Sequence, residues 1–205
     1  MDADAALGRG FGAGSTSVCG AIVRTGRWRP GGRGTVNAPD GFWSFSTGVY
    51  AGEGVPAACL AFQSEGLDVN LGLWICWVAA RGGEPLDRLD AAMALSAPWK
   101  QQVVEPLRAA RNGLKPAPDG FEGEEAQALR RAILKAELEA ERLQQARLEP
   151  LGLACGPAES QDEQSGEGGA RARAEAGLRR YAGTQVDRVR IAAFAERIFS
   201  ALEKM

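Results

Sequence analysis

Histidine is absent from all 205 residues. That removes the Ser–His and Cys–His pairs of nucleophilic catalysis and every imidazole metal ligand. It also removes the usual proton shuttle near neutral pH. Cysteine is sparse. Cys19, Cys59, Cys76 and Cys155 lie far apart, so there is no CxxC pair and no zinc spacing. Cys59 and Cys76 sit in apolar runs and read as small hydrophobes, and all four read as reduced thiols of a cytoplasmic protein. Charge of one sign is lacking too. The formal net charge is −2, which argues against the whole-protein field that phosphate contacts need. Five arginines in 9–33 and six in 171–190 are the local exceptions. A long hydrophobic run is missing as well. The most apolar stretch, "LGLWICWVAA" at 71–80, has ten residues, about half of what a membrane span requires.

Glycine, in contrast, is plentiful and uneven. Nine of the 27 fall in 1–35 and seven in 152–183. The first stretch carries no periodicity that demands burial, and "GRGFGAG" at 8–14 follows no strand and completes no dinucleotide or P-loop fingerprint. No cofactor is therefore implied. The composition predicts a disordered tail over 1–38 and a disordered linker over 151–184.

Between them the pattern is helical. Asp40 is a plausible N-cap for a helix over 41–51, with Phe42, Phe45, Ser46 and Val49 on one face. Pro56 suits the first turn of a second helix. Gly66 stands where that helix needs a left-handed residue, and Asp68 then caps the next, so 66–68 forms a tight helix–helix corner. A helix over 68–81, apolar on all sides, has to be surrounded on all sides. Pro85 and Pro98 each mark a fresh helix start, and Pro106 is expected to kink or break the stretch near 103–105. The strongest helical signal covers 122–148. Ala126, Leu129, Ile133, Ala136, Ala140 and Leu143 repeat there at three- and four-residue spacing, a seam of nearly three heptads. It reads as a long helix lying across the bundle, with a coiled-coil dimer seam as the sharper alternative. A last amphipathic helix is expected over 185–203, with Phe194, Ile198 and Leu202 among its anchors, either docking back on the bundle or filling a partner's groove.

The expected fold is thus all-α, a bundle of about five to six helices around the 68–81 helix, with the helical domain over 39–150. The stretches "FWSFSTGVYAGEGVPAACLAFQSEGLDVNLGLWICWVAARG" (42–82), "APWKQQVVEPLRAARNGLK" (97–115) and "KAELEAERLQ" (135–144) resemble a bacterial family of hypothetical proteins classed as a domain of unknown function. The resemblance covers about 42–148. It implies a bacterial cytoplasmic helical protein and no particular chemistry.

No catalytic residue, metal ligand or cofactor site emerges. Asp68 and Asn70 are the polar candidates at the mouth of the central helix, and helix capping explains both. Leu129, Ile133, Leu143, Phe194, Ile198 and Leu202 are the candidate interface for a protein partner or a second copy. The functional expectation is a non-catalytic interaction or regulatory protein. The alternative is a small-molecule-binding protein or enzyme with a pocket rimmed by Trp43, Asp68 and Trp99. Those tryptophans lack the neighbouring Lys and Arg that single-strand nucleic-acid binding needs.

Overall fold

The central helix α3 spans Val69–Ala80, and every residue from Asn70 to Ala80 is buried. A computed structural model describes residues 41–158, 167–184 and 186–205. The predicted tail over 1–38 and the Asp40 cap lie outside the described residues. Around α3 stand α1 (Phe42–Tyr50), α2 (Val55–Ser64), α4 (Leu89–Trp99), α5 (Glu105–Gly113), α6 (Glu124–Leu153), α7 (Glu167–Ala182) and α8 (Arg188–Leu202). The all-α bundle is as expected, and no described helix is long and apolar enough to cross a membrane.

The corner before α3 is built as its residues dictate. Gly66 takes φ +78°, a conformation open to glycine. The Asp68 carboxylate then accepts the Asn70 N–H at 2.9 Å and caps the helix. Trp74 and Trp77, both fully buried, face α6 and α1. The Trp74 indole N–H donates to the Leu148 carbonyl at 2.9 Å. Trp77 stacks on Phe42 with centroids 5.3 Å apart. Gly152 makes this contact possible, because a Cβ there would fall 2.5 Å from the Trp77 ring and 2.8 Å from the Trp74 indole nitrogen.

The helix starts expected at Pro85 and Pro98 need correcting. The first helix begins after Gly41, which supplies no side-chain cap. In its place the Glu149 carboxylate of α6 accepts the Phe42 N–H at 3.3 Å. Pro85 opens a short 3₁₀ turn, Pro85–Asp87, and α4 follows it. Pro98 starts nothing, since α4 runs through it to Trp99. Pro106 does interrupt the helix, as a π-helical segment at Lys100–Val104. Proline has no N–H to close the α turn behind it, and the wider π turn takes that turn's place.

The larger correction concerns 151–184. Helix α6 continues to Leu153, and α7 fills Glu167–Ala182. Ala170, Ala174 and Leu178 of α7 are core residues, packed against α3. A stripe of Ala and Gly buries a helix by letting it approach closely, so its hydrophobic signal is faint although its packing is tight. Gly177 shows this directly: a Cβ there would lie 2.8 Å from the Ile75 side chain. Helix α8 docks on the bundle as well. Its Phe194 ring stacks on Phe62 of α2 at 4.2 Å.

Candidate functional site

Asp68 and Asn70 open a chain of buried polar groups. The Gln145 amide donates to the Asn70 carbonyl oxygen at 2.7 Å. The Asn70 amide donates to the Gln144 carbonyl oxygen at 2.9 Å. The Gln144 amide donates to the second Asp68 carboxylate oxygen at 2.5 Å. Three amides thus point the same way and end on a carboxylate that also caps α3. Bonds aligned in this fashion polarise one another in a poorly solvated interior. Asp68 therefore does more than cap. It joins the N-terminus of α3 to the middle of α6.

The other side of Asp68 faces α7. Its backbone N–H donates to the Tyr181 hydroxyl at 2.7 Å. Beside this contact lies a cleft of about 310 Å³ lined by Asp68, Leu71, Met93, Ser96, Ala97, Lys100, Gln101, Glu105 and Tyr181. The π segment supplies Lys100 and Gln101, and π bulges in helices often lie at functional sites. Lys100 is already engaged. Its ammonium donates to the Gly66 carbonyl at 2.6 Å and pairs with Glu105 at 3.1 Å. Ser96 is buried, and its Oγ has no hydrogen-bond partner.

Burial sets the acidity of these groups. It pushes the Asp68 carboxyl up, against the opposing pull of the Gln144 amide, the Asn70 and Leu71 N–H groups and the Lys100 charge. It pushes Glu141 up against the pull of Arg108. The Tyr181 hydroxyl is raised by burial to about 12, so the phenol keeps its proton. A carboxyl with a raised pKa holds its proton more tightly in the folded chain than in the unfolded one. Folding stability from such a group is full below its ordinary value and is lost as pH rises through the raised one. Asp68 and Glu141, with ordinary values of 3.8 and 4.5, are both of this kind. The urea midpoint, followed by tryptophan fluorescence, is therefore expected to decline as pH rises above the ordinary carboxyl values. Asp68→Asn is expected to flatten part of that decline, and an unchanged slope would show that Asp68 is already ionised.

The predicted pocket is thus displaced. It forms at Asp68 but without Trp43 or Trp99. Trp43 is partly exposed on α1. The Trp99 indole N–H is held by the Ala140 carbonyl at 3.0 Å. Tyr181 and Gln144 were not legible as partners of Asp68, nor Gln144 and Gln145 as partners of Asn70, because 74 to 113 residues separate the bonded members. Among the described residues no group of three or more His, Cys, Asp or Glu side chains is placed to hold a metal ion.

The candidate interface divides. Phe194, Ile198 and Leu202 are core residues, each no more than 4% exposed, and offer nothing to a partner. An amphipathic helix at the end of a chain reads alike whether its apolar face meets its own bundle or another protein; here its own bundle covers it. Ile133 is half-buried, and Leu129 and Leu143 are exposed. Together with α5 they form an arm. No residue of α5 is buried, and the first buried residue of α6 is Glu137. At the base of the arm Arg108 reaches Glu137 at 2.9 Å and Glu141 at 2.8 Å, while Arg111 pairs with Glu137 at 2.6 Å. The inward stripe of α6 is Glu137, Ala140, Gln144, Gln145, Leu148 and Gly152. The heptad seam read from the sequence is therefore rotated by about a quarter turn from the true buried face.

Residues 41–148 match the family described as Protein of unknown function (DUF2390). The chain belongs to this family. The matched segment covers α1 to α5 and α6 as far as Leu148, including Asp68, Asn70, Gln144, Ser96 and Lys100. Tyr181, which closes the cleft, lies beyond it on α7. No curated protein and no solved structure matches the chain.

Proposed function

We propose that this member of the family is a non-catalytic interaction or regulatory protein of the bacterial cytoplasm that offers the α5/α6 arm to a protein partner. The observation that carries this reading is the exposure of Leu129, Leu134, Leu138 and Leu143 along one helix. Single exposed leucines are ordinary on protein surfaces. Four on a helix whose base is pinned by ion pairs form two preorganised apolar pairs, one on either side of the inward stripe. Rigid presentation of such anchors reduces the ordering cost of association. Leu134 and Leu138 are one turn apart, and Leu129 and Leu143 flank the inward stripe on its other side.

Site-specific photo-crosslinking in cells tests it. A photoreactive residue at Leu138 or Leu143 is expected to give a discrete protein adduct, whereas one at Leu60, more exposed still on α2, is not. Replacing Leu134 and Leu138 by Glu should abolish the adduct formed from position 143 and leave the folding stability within about 0.5 kcal/mol of the parent, because surface changes are nearly neutral. Adducts formed equally from Leu60, or none from the arm, would refute the reading.

A further inference from the structure

The cleft beside Asp68 is independent of the arm and calls for its own occupant. Its lining has a polar end and an apolar end. Leu71, Met93 and Ala97 give the apolar side. Asp68, Ser96, Glu105, Lys100, Gln101 and Tyr181 give the polar side. The ionisable carboxyls outnumber the ammonium there, two to one. The one cation is spent, since Lys100 is shared between the Gly66 carbonyl and Glu105. An anionic ligand would find no free positive charge in the lining. A cation would find acceptors. A carboxylate offers about four acceptor positions. The Asn70 and Leu71 N–H groups and the Gln144 amide use three of those on Asp68. Ser96 adds a hydroxyl oxygen that is buried and unpartnered. A buried hydroxyl without a partner is destabilising, and a ligand N–H would remove that cost.

We propose that this cleft binds a small organic cation, a primary amine on a short aliphatic chain, with Asp68 and Ser96 receiving the ammonium group. The aliphatic part lies along Leu71, Met93 and Ala97. Three N–H donors on an ammonium match the acceptors of Asp68 and Ser96, with a third left for solvent or for Glu105 at the rim. The volume suits a ligand at the small end of the range for bound small molecules. Tyr181 makes α7 part of the site, because its hydroxyl holds the Asp68 backbone in place.

Calorimetric titration of the full chain with n-butylamine hydrochloride tests this, with butyrate and 1-butanol as controls of equal chain length. The amine is expected to bind saturably with Kd below about 1 mM, and both controls at least about tenfold more weakly. Ser96→Ala should weaken the amine by about three- to tenfold and Asp68→Asn by at least about tenfold. Since Asp68 also caps α3, circular dichroism of Asp68→Asn accompanies its titration. Ala97→Trp is the variant that spares the cap: Ala97 is exposed on α4, so the indole would block the cleft and abolish binding in a folded protein. Absence of saturable amine binding, butyrate binding as tightly as the amine, or parental affinity in Ala97→Trp would each overturn the proposal.

Discussion

A chain ended after Leu153, without α7 and α8, is expected not to fold. Those two helices place Leu178, Ile191, Phe194, Ile198, Phe199 and Leu202 in the core. Each such side chain contributes about 1.5–3 kcal/mol on burial, so the six together contribute roughly 9–18 kcal/mol. The whole stability of a domain is about 5–15 kcal/mol. Their loss would also open α3 to water along two faces, since α7 and α8 both pack on it. A central helix apolar all round then has nothing to cover it. Proton–nitrogen correlation spectra and urea titrations of residues 41–153 provide the measurement, with collapsed amide dispersion and no cooperative transition as the expected result. Well-dispersed spectra and a sigmoidal transition would show that the matched family segment stands alone. The expected outcome makes the folding unit larger than the segment that defines the family.

Trp74→Ala is expected to cost about 3–5 kcal/mol, the range for emptying a large aromatic site in a core. Trp74 is fully buried on α3, and its indole N–H satisfies the Leu148 carbonyl of α6. Truncation removes the ring and leaves that carbonyl unpaired by its side-chain donor. Trp74→Phe separates the two terms. It keeps most of the packing and loses the hydrogen bond, so it should cost about 1–3 kcal/mol less than the alanine variant. The urea midpoint at constant m-value measures both. Equal costs for Phe and Ala would mean that the bond to Leu148, not the ring volume, dominates. The same contact is sensitive in the opposite sense at Gly152, where an added methyl would meet both indoles.

Much of this architecture was written in local signals. The Gly66–Asp68 corner, the buried 69–80 helix and the long helix over 122–148 follow from caps, periodicity and, in the last, the absence of proline, whereas its continuation through Pro150 to Leu153 does not. Two features escaped for physical reasons. Helix α7 buries small residues, Ala170, Ala174 and Gly177 among them, and arginine- and glycine-rich surroundings mask so weak a pattern. The phase of α6 was misread because its inward stripe carries Glu137, Gln144 and Gln145 while leucines stand outside. Apolar periodicity assumes that buried positions are apolar. Where a polar chain runs through the core, that assumption turns the helix the wrong way. The candidate site shares this cause. Asp68 and Asn70 were visible as a capping pair, but their partners come from α6 and α7, and nothing local announces a hydrogen bond between residues so distant in the chain.

The π segment at Lys100–Val104 has a consequence for the arm. Each residue of an α-helix advances the next by about 100° around the axis. A π turn holds one residue more than an α turn, so everything after it is set back by about one such step. Arg108 and Arg111 lie after it, and both meet Glu137. In an uninterrupted α-helix the same residues would point about a quarter turn away, with Glu137 facing no cation across the seam. The segment is a phase shifter within a single rod. Upstream it keeps α4 in register with the core; downstream it re-indexes α5 to clasp α6. One added residue of winding thereby decides the direction in which the arm leaves the bundle.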